Sequence, residues 1–269
     1  MPPQTGWSTE VHGRRVFARS WSGHRARQAR PVVLVHGLGI GSRMCEPAAR
    51  LLARSRPVHA LDLPGFGHSR GGRTLTIDEH ADWLATWMRA SSLSGAIVAG
   101  VSVGSQVVAA LAQRHPDLCD LVALVSPTVD ANRRSWSRQL PRWQVEQATQ
   151  SLRMRGIQVT DFARAGPRRV IRTFASALAD HPEDRMPGIE HPLLVCWGTR
   201  DPLLSRDWVE HLTELAPHGH LAVLPGAVHA MTHDSPLELA RVLERFLGDH
   251  SRPEQGRMHA TSPSRPEVS

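Results

Sequence analysis

Two kinds of apolar pattern alternate along the chain. Short runs rich in valine, leucine and isoleucine predict buried strands, and stretches in which apolar residues recur every three or four positions predict amphipathic helices. The predicted strands cover 31–37, 58–62, 96–101, 121–125, 192–197 and 220–224, and the predicted helices cover 44–54, 77–90, 103–113, 207–215 and 237–247. A hairpin around Gly13 is predicted over 8–21, and Thr76 is the predicted N-cap of the 77–90 helix. This order predicts βαβ units that build a mostly parallel, eight-stranded sheet with helices on both faces.

One segment interrupts the alternation. No strand-like run occurs between 127 and 191, where helical patterns cover 136–154 and 170–179. Glycines and prolines punctuate this segment at Gly156, Gly166, Pro167 and Pro182. We expect the segment to form an inserted helical cap over the carboxyl edge of the sheet, which is where open α/β sheets bind ligands.

The rest of the chain divides around this insertion. At 269 residues, 41% of them hydrophobic, the chain is long enough for one large domain that carries a subdomain. We expect residues 1–126 and 192–248 to form the core, with 127–191 as the cap. The stretch 249–269 is rich in serine, proline and arginine and is predicted to be a disordered tail.

The composition indicates where the protein is located and whether it binds a membrane. The longest apolar runs are too short to cross a bilayer, and the polar start Met1–Glu10 lacks the apolar stretch of a signal peptide. We therefore expect a cytoplasmic protein without a membrane partner. Cys45, Cys119 and Cys196 are widely spaced and odd in number, which favours free buried thiols over a disulfide framework. No pattern indicates an oligomeric state.

The formal net charge of +7 raises the question of nucleic-acid binding. All 32 residues in the lysine-plus-arginine count are arginines, scattered without the aromatic interleaving of RNA-binding sheets. We expect no nucleic-acid partner. Because the chain has no lysine, it can form neither a lysine Schiff base nor a lysine-dependent P-loop. No cofactor or metal is implied, although His229, His233 and Asp234 form an alternative metal-ligand set.

Candidate chemistry begins at Gly100–Gly104, which reads Gly-Val-Ser-Val-Gly between a predicted strand and a predicted helix. A serine at such a turn is held in a strained backbone conformation, and close packing requires small residues two positions before and after it. Ser102 is therefore the candidate nucleophile. Its hydroxyl needs a base in order to attack at neutral pH.

The base and its acid are expected in loops at the carboxyl edge, in the chain order serine, acid, histidine. His229 follows the last predicted strand and is the candidate base, with His220 and His233 as rivals. Asp201 follows the preceding predicted strand and is the candidate acid, with Asp130, one strand earlier, as the alternative. Such an acid holds the imidazole in the required tautomer.

Attack on a carbonyl creates an oxyanion that needs positioned donors. The backbone N–H of Val103, directly after the candidate nucleophile, is one expected donor. The other is expected from the 36–39 loop, at the backbone N–H of Leu38. Only the main chain of these two apolar residues is implicated.

These motifs together resemble the α/β-hydrolase superfamily over about residues 7–248. The matching motifs are His36-Gly37, Asp62–Ser69, Gly100–Gly104, Gly198–Asp201 and Gly226–His229, in the superfamily's order and spacing. The Asp62–Ser69 segment is especially similar to the capped small-molecule hydrolases: meta-cleavage-product hydrolases, lactonases, haloalkane dehalogenases and epoxide hydrolases. The last two groups use an aspartate nucleophile, and Ser102 argues against both.

The resemblance implies hydrolysis of a small carboxylic ester or lactone through an acyl-enzyme, with a small molecule as the substrate. The alternatives are carbon–carbon bond hydrolysis of a meta-cleavage-product type acid, acyl transfer, and a ligand-binding receptor without turnover. Carbon–carbon hydrolysis predicts a pocket arginine for the substrate carboxylate. The candidates, each otherwise expected to be solvated, are Arg133, Arg134, Arg138 and Arg142. Trp136 and Trp143 are expected in the pocket wall or in the core of the cap.

Overall fold

The computed structural model describes residues 4–23, 29–69 and 71–250. Its strands are β1 (Gln4–Val11), β2 (Arg14–Trp21), β3 (Val32–Val35), β4 (Val58–Leu61), β5 (Ala96–Val101), β6 (Cys119–Val125), β7 (Leu193–Gly198) and β8 (Gly219–Leu224). They form one eight-stranded sheet in the order β1-β2-β4-β3-β5-β6-β7-β8. β2 pairs antiparallel with β1 and β4, and the other neighbouring strands pair in parallel. The predicted mostly parallel, eight-stranded sheet is confirmed.

The burial of the strands explains the sequence pattern. Every residue of β3 and β5 is buried, because helices cover both faces of the sheet centre, and such strands appear in the sequence as continuous apolar runs. The hairpin between β1 and β2 turns at His12 and Gly13, with φ angles of 47° and 70°. A two-residue hairpin loop requires this left-handed backbone, which glycine adopts most easily.

Nine α-helices accompany the sheet in the described part of the chain. They are α1 (Glu46–Leu52), α2 (Ile77–Ala90), α3 (Val103–Arg114), α4 (Trp136–Thr149), α5 (Leu152–Ala165), α6 (Pro167–Ala179), α7 (Arg206–Leu215), α8 (Met231–Asp234) and α9 (Pro236–Asp249). The apolar residues of α2, α3 and α7 belong to one core cluster, and those of α1, α8 and α9 belong to another on the opposite face. Thr76 caps α2 as predicted, since its hydroxyl accepts from the Glu79 N–H at 3.3 Å.

The segment between β6 and β7 contains α4, α5 and α6, and two expectations about it are wrong. The predicted 136–154 helix is two helices, because the chain is extended at Gln150 and Ser151, with ψ angles of 153° and 151°. The Ser151 hydroxyl accepts from the Met154 N–H at 3.2 Å and so begins α5 as its N-cap. Gly156, expected to mark a break, lies inside α5. That 127–191 forms a separate cap domain on a core of 1–126 and 192–248 stays a prediction.

Three further expectations concern the chain as a whole. The cysteines are free and buried, and burial raises the pKa of each thiol to about 12. No helix in the described ranges is long and apolar enough to cross a membrane. Residues 251–269, which hold most of the predicted tail, lie outside the described residues.

Candidate active site

Ser102 lies at the sharp turn between β5 and α3, with φ 57° and ψ −122°. A left-handed backbone at a residue other than glycine costs roughly 1–3 kcal/mol, and it persists only where the surroundings enforce it. A Cβ added to Gly100 would lie 2.2 Å from the Gly104 carbonyl oxygen, and one added to Gly104 would lie 2.5 Å from the His36 carbonyl oxygen. Backbone packing therefore enforces the turn, and only glycine fits at these two positions.

Hydrogen bonds tie this turn to β6. The Ser102 N–H donates to the Val125 carbonyl at 2.9 Å. The buried Ser105 hydroxyl lies 2.8 Å from the Gly100 carbonyl oxygen and 3.1 Å from that of Val125, so it can donate to either. This supporting role of Ser105 was not foreseen from the sequence. The result is a rigid turn whose serine side chain lines a cavity at the carboxyl edge of the sheet.

His229 and Asp201 meet at the same edge. Asp201 follows β7 and His229 follows β8, and the His229 Nδ1–H donates to Asp201 Oδ2 at 2.7 Å. The other carboxylate oxygen, Oδ1, accepts from the Leu203 N–H at 2.9 Å. Both side chains are buried, and a carboxylate that accepts at Nδ1 leaves Nε2 of the neutral ring without a proton. Nε2 is thus available as an acceptor.

The electrostatics favour a histidine that can hold a proton. Burial lowers the pKa of His229, but the charge and hydrogen bond of Asp201, together with the charge of Glu146, outweigh burial and raise it above the ordinary value of 6.5. His229 Nε2 is buried and has no hydrogen-bond partner among the described residues. His229 and Ser102 line the same cavity, so the cavity that contains the Ser102 hydroxyl also contains the ring of this free acceptor.

The Ser102 hydroxyl is not hydrogen-bonded to His229 in the described chain. Its neighbour is the Thr128 hydroxyl, at a long oxygen–oxygen distance of 3.5 Å. Catalytic hydrogen bonds are often long in ligand-free proteins and shorten when substrate binds. The structure therefore brings His229 and Asp201 into contact, and it brings Ser102 to the cavity that His229 lines.

The rival residues are engaged elsewhere. Asp130 accepts from the Ser205 hydroxyl at 2.6 Å and lies 3.4 Å from the Arg133 guanidinium. His233 is hydrogen-bonded through Nδ1 to Asp234 at 2.8 Å. His220 contacts the rings of Phe246 and His250. Asp201, and not Asp130, is the carboxylate that contacts His229.

The residues of the alternative metal-ligand set, His229, His233 and Asp234, do not meet in one cluster. His229 is bonded to Asp201, whereas His233 is bonded to Asp234. Within the described ranges, no group of three or more histidine, cysteine, aspartate or glutamate residues is arranged to hold a metal ion.

The expected oxyanion donors lie at the cavity. Leu38 and Val103 both line it, and Val103 is the first residue of α3, so its N–H is one of the four that lack an acceptor within the helix. The loop after β3 is held by His36, whose Nδ1–H donates to the Gly37 carbonyl at 2.8 Å and whose Nε2 accepts from the Leu63 N–H at 2.9 Å. Burial lowers the pKa of His36, which favours this neutral form.

The cavity has a volume of about 250 Å³ and is mostly apolar. Its large apolar lining residues include Ile40, Met44, Leu140, Met154, Val170, Ile171 and Leu203. Trp136 and Trp143 also line it, and each contacts a second lining aromatic, Phe174 at 4.7 Å and Phe162 at 6.0 Å between ring centroids. Trp136 and Trp143 therefore lie in the pocket wall, one of the two positions expected for them.

None of the four candidate arginines lines the cavity. Arg133 pairs with Asp130, and Arg134 pairs with Glu183 at 2.7 Å. Arg138 donates to the Asn132 carbonyl, and Arg142 donates to that of Arg138 at 2.8 Å. The pocket arginine that a carboxylate-bearing substrate requires is therefore absent from these positions.

Sequence reasoning missed a buried glutamate. Glu146 lines the cavity from α4 and is 2% exposed. Gln139, Trp143 and Gln150 precede and follow it at spacings of seven, three and four residues and also line the cavity. That spacing places Gln139, Trp143 and Glu146 on one face of α4 with Gln150 directly after its end, which could have indicated a polar lining.

The chain is similar in sequence to a known family and to known enzymes. The sequence profile of the alpha/beta hydrolase fold family matches residues 30–169. A pimeloyl-[acyl-carrier protein] methyl ester esterase of Sodalis glossinidius is 27% identical over 244 residues, covering 81% of this chain and 93% of the relative. An (E)-2-((N-methylformamido)methylene)succinate hydrolase of Acinetobacter baylyi is 22% identical over 240 residues, covering 82% and 91%.

Solved structures show the same fold. The enol-lactonase of Burkholderia xenovorans aligns with a TM-score of 0.74 and 21% identity, covering 90% of this chain and 99% of that structure. A thermophilic esterase of Thermogutta terrifontis aligns with a TM-score of 0.74 and 19% identity, covering 92% and 99%. The chain therefore belongs to the α/β-hydrolase family, and its relatives place it among the hydrolytic enzymes of that family.

Proposed function

We propose that this hydrolase cleaves a small carboxylic ester or lactone through an acyl-enzyme, with Ser102 as nucleophile, His229 as general base and Asp201 as the acid that orients it. The observation that carries the proposal is the free Nε2 of His229. Its ring is fixed by a 2.7 Å hydrogen bond from Nδ1 to Asp201, and Nε2 has no partner in the part of the chain that is described. Ser102 lines the same cavity, so its hydroxyl is the available donor.

The proposed reaction has two halves. Ser102 Oγ attacks the carbonyl carbon while its proton moves to His229 Nε2. The tetrahedral intermediate then collapses, and the leaving alcohol oxygen takes that proton. Water next attacks the acyl-enzyme, gives its proton to Nε2, and the acid departs as the proton returns to Ser102.

Two groups of the protein stabilise the charges that form. The backbone N–H groups of Leu38 and Val103 are the proposed oxyanion donors, and a donor of this kind contributes about 3 kcal/mol to transition-state stability. The Asp201 carboxylate stabilises the imidazolium, in keeping with its raising effect on the pKa of His229. We also propose that α4–α6 serve as the cap over this chemistry, since six of the largest lining side chains belong to them: Trp136, Leu140, Trp143, Phe162, Ile171 and Phe174.

Ester cleavage is favoured over carbon–carbon hydrolysis by the charges of the cavity. A substrate of the latter type carries a carboxylate, which would enter an apolar cavity that has Glu146 in its wall and no arginine among the described residues that line it. Desolvating an anion there without a cationic partner is costly. The similarity to a methyl ester esterase supports the same preference.

Turnover of p-nitrophenyl esters from acetate to decanoate tests the proposal. The wild type is expected to cleave the panel, and Ser102→Ala to lose turnover and labelling by a fluorophosphonate. Ser137→Ala, which removes an exposed hydroxyl from α4, is the matched control and should keep both. Absence of turnover together with absence of labelling at Ser102 would contradict the proposal and favour a ligand-binding receptor.

A further inference from the structure

The cavity wall contributed by α4 and α5 carries three polar side chains that the proposed chemistry does not use. Glu146, Gln150 and Gln158 are 2%, 5% and 6% exposed, and all three line the cavity that contains Ser102 and His229. Most of the lining around them is apolar. Buried polar groups in such a wall are costly unless they have partners.

Glu146 lacks a cationic partner in the part of the chain that the structure describes. No arginine or histidine of the described residues forms an ion pair with it within 4.0 Å, although it accepts hydrogen bonds from the Gln147 and Gln150 side-chain amides. Burial is the main effect on the Glu146 carboxyl and raises its pKa, while the charge of His229 opposes that rise. A carboxyl in this state gains most from a ligand that brings a positive charge.

The side chains of Gln150 and Gln158 add oxygen acceptors to this wall. Gln150 turns its amide nitrogen to Glu146, which leaves Gln150 Oε1 buried and without a donor in the described chain. Gln158 Oε1 is likewise buried without a donor. The buried atoms of these two glutamines that lack a partner are therefore oxygen acceptors beside a carboxyl, and a complementary ligand group carries several N–H donors and a positive charge.

We propose that Glu146, Gln150 and Gln158 form a subsite for a protonated amine, so that the substrate is an ester or lactone that carries an amino group. The claim about the substrate rests on the proposed function, whereas the claim that an amine binds here does not. An ammonium offers three donors, which matches one carboxylate and two amide oxygens. Water is the competing occupant, since ordered water also satisfies buried acceptors.

Calorimetric titration without turnover tests the subsite. The ligands are hexylammonium, 1-hexanol and hexanoate at pH 8, which share a six-carbon chain and differ in their polar end. The wild type is expected to bind hexylammonium about tenfold more tightly than 1-hexanol, and to bind hexanoate most weakly. Glu146→Gln should remove the advantage of hexylammonium, and the exposed Glu190→Gln is the matched control that should keep it.

A second variant keeps the subsite testable if Glu146→Gln does not fold. Gln150→Met removes an acceptor while keeping the length of the side chain, and it should also weaken hexylammonium binding. Equal affinity for the three ligands in the wild type, or full hexylammonium affinity in Glu146→Gln, would overturn the subsite and indicate that water fills it. Ester turnover without an amine preference would refute the subsite alone, whereas amine binding without any ester turnover would refute the proposed function alone.

Discussion

At the residue scale, the proton affinity of His229 links the geometry of the site to its chemistry. In the proposed mechanism the neutral ring is the base, so activity requires a pH above the pKa of His229. Burial alone would lower that pKa, and the hydrogen bond and charge of Asp201 together with the charge of Glu146 raise it above 6.5. Asp201 and Glu146 thereby make His229 a stronger base, and we expect less activity at pH values below its raised pKa.

The pH dependence of kcat/KM for a neutral ester follows from this. In the wild type, kcat/KM should rise with pH and reach its plateau only above the raised pKa of His229. In Asp201→Asn the charge that favours the imidazolium is gone while burial remains, so the acid limb should move to lower pH. The plateau should fall about 10⁴-fold, because the tautomer is no longer held. Profiles of p-nitrophenyl butyrate hydrolysis measure both effects.

Asp130→Asn is the control for this prediction, because Asp130 is buried too and was the alternative acid. Its carboxylate accepts from Ser205 and pairs with Arg133 instead of contacting His229. The variant should lose stability against urea yet keep the wild-type acid limb. A shifted acid limb in Asp130→Asn and an unchanged one in Asp201→Asn would reverse the assignment of the acid.

At the element scale, the sheet and its flanking helices could be predicted because local pattern and tertiary burial coincide there. The runs at 96–101 and 121–125 are apolar because both sheet faces are covered. Gly100 is required by its contact with the Gly104 carbonyl four residues on, and Gly104 by its contact with the distant His36 carbonyl. Both glycines could still be predicted, because the strand-turn-helix pattern around a nucleophilic serine demands small residues there. Ser102, Asp201 and His229 were predictable for the same reason, since each follows a recognisable strand.

The inserted helices were predicted less well because their decisive contacts are distant in the sequence. The break at Ser151 depends on Asp234, 83 residues away, whose carboxylate accepts from the Ser151 N–H at 3.0 Å and from its hydroxyl at 2.6 Å. Glu146 is buried although it is charged, and its burial depends on tertiary contacts that local composition does not reveal. Gly156 fits inside α5 because a glycine lowers helix stability by only about 1 kcal/mol.

The junction between α4 and α5 is itself testable. Ser151→Ala removes the N-cap of α5 and the hydroxyl bond to Asp234, so the free energy of unfolding should fall by about 1–2 kcal/mol. Ser137→Ala, an exposed position inside α4, should change it by less than about 0.5 kcal/mol. Urea unfolding compares the free energies of unfolding of the two variants directly. Equal midpoints would show that the Ser151 N-cap does not stabilise the protein.

At the scale of the whole molecule, an ion pair joins the inserted helices to the segment after the Leu38 loop. Helices α4–α6 contain eight arginines and two acidic residues, and both acids are buried. Glu146 faces the cavity, whereas Asp161 accepts from the Gly41 N–H at 3.0 Å and pairs with Arg43 at 2.7 Å. Gly41 and Arg43 follow the loop that carries Leu38. Asp161 thus connects the inserted helices to the loop of a proposed oxyanion donor.

This connection predicts a catalytic effect at a residue that does not contact substrate. Asp161→Asn removes the charge that holds Arg43 and weakens the bond to Gly41, so the Leu38 N–H should be less well positioned. Because that donor acts on every substrate alike, kcat should fall about tenfold for all chain lengths while KM changes little. Asp180→Asn breaks a comparable buried pair, with Arg185 at 2.6 Å, away from that loop. Asp180→Asn should therefore lower the melting temperature without lowering kcat, and the same pattern in Asp161→Asn would mean that Asp161 only stabilises the fold.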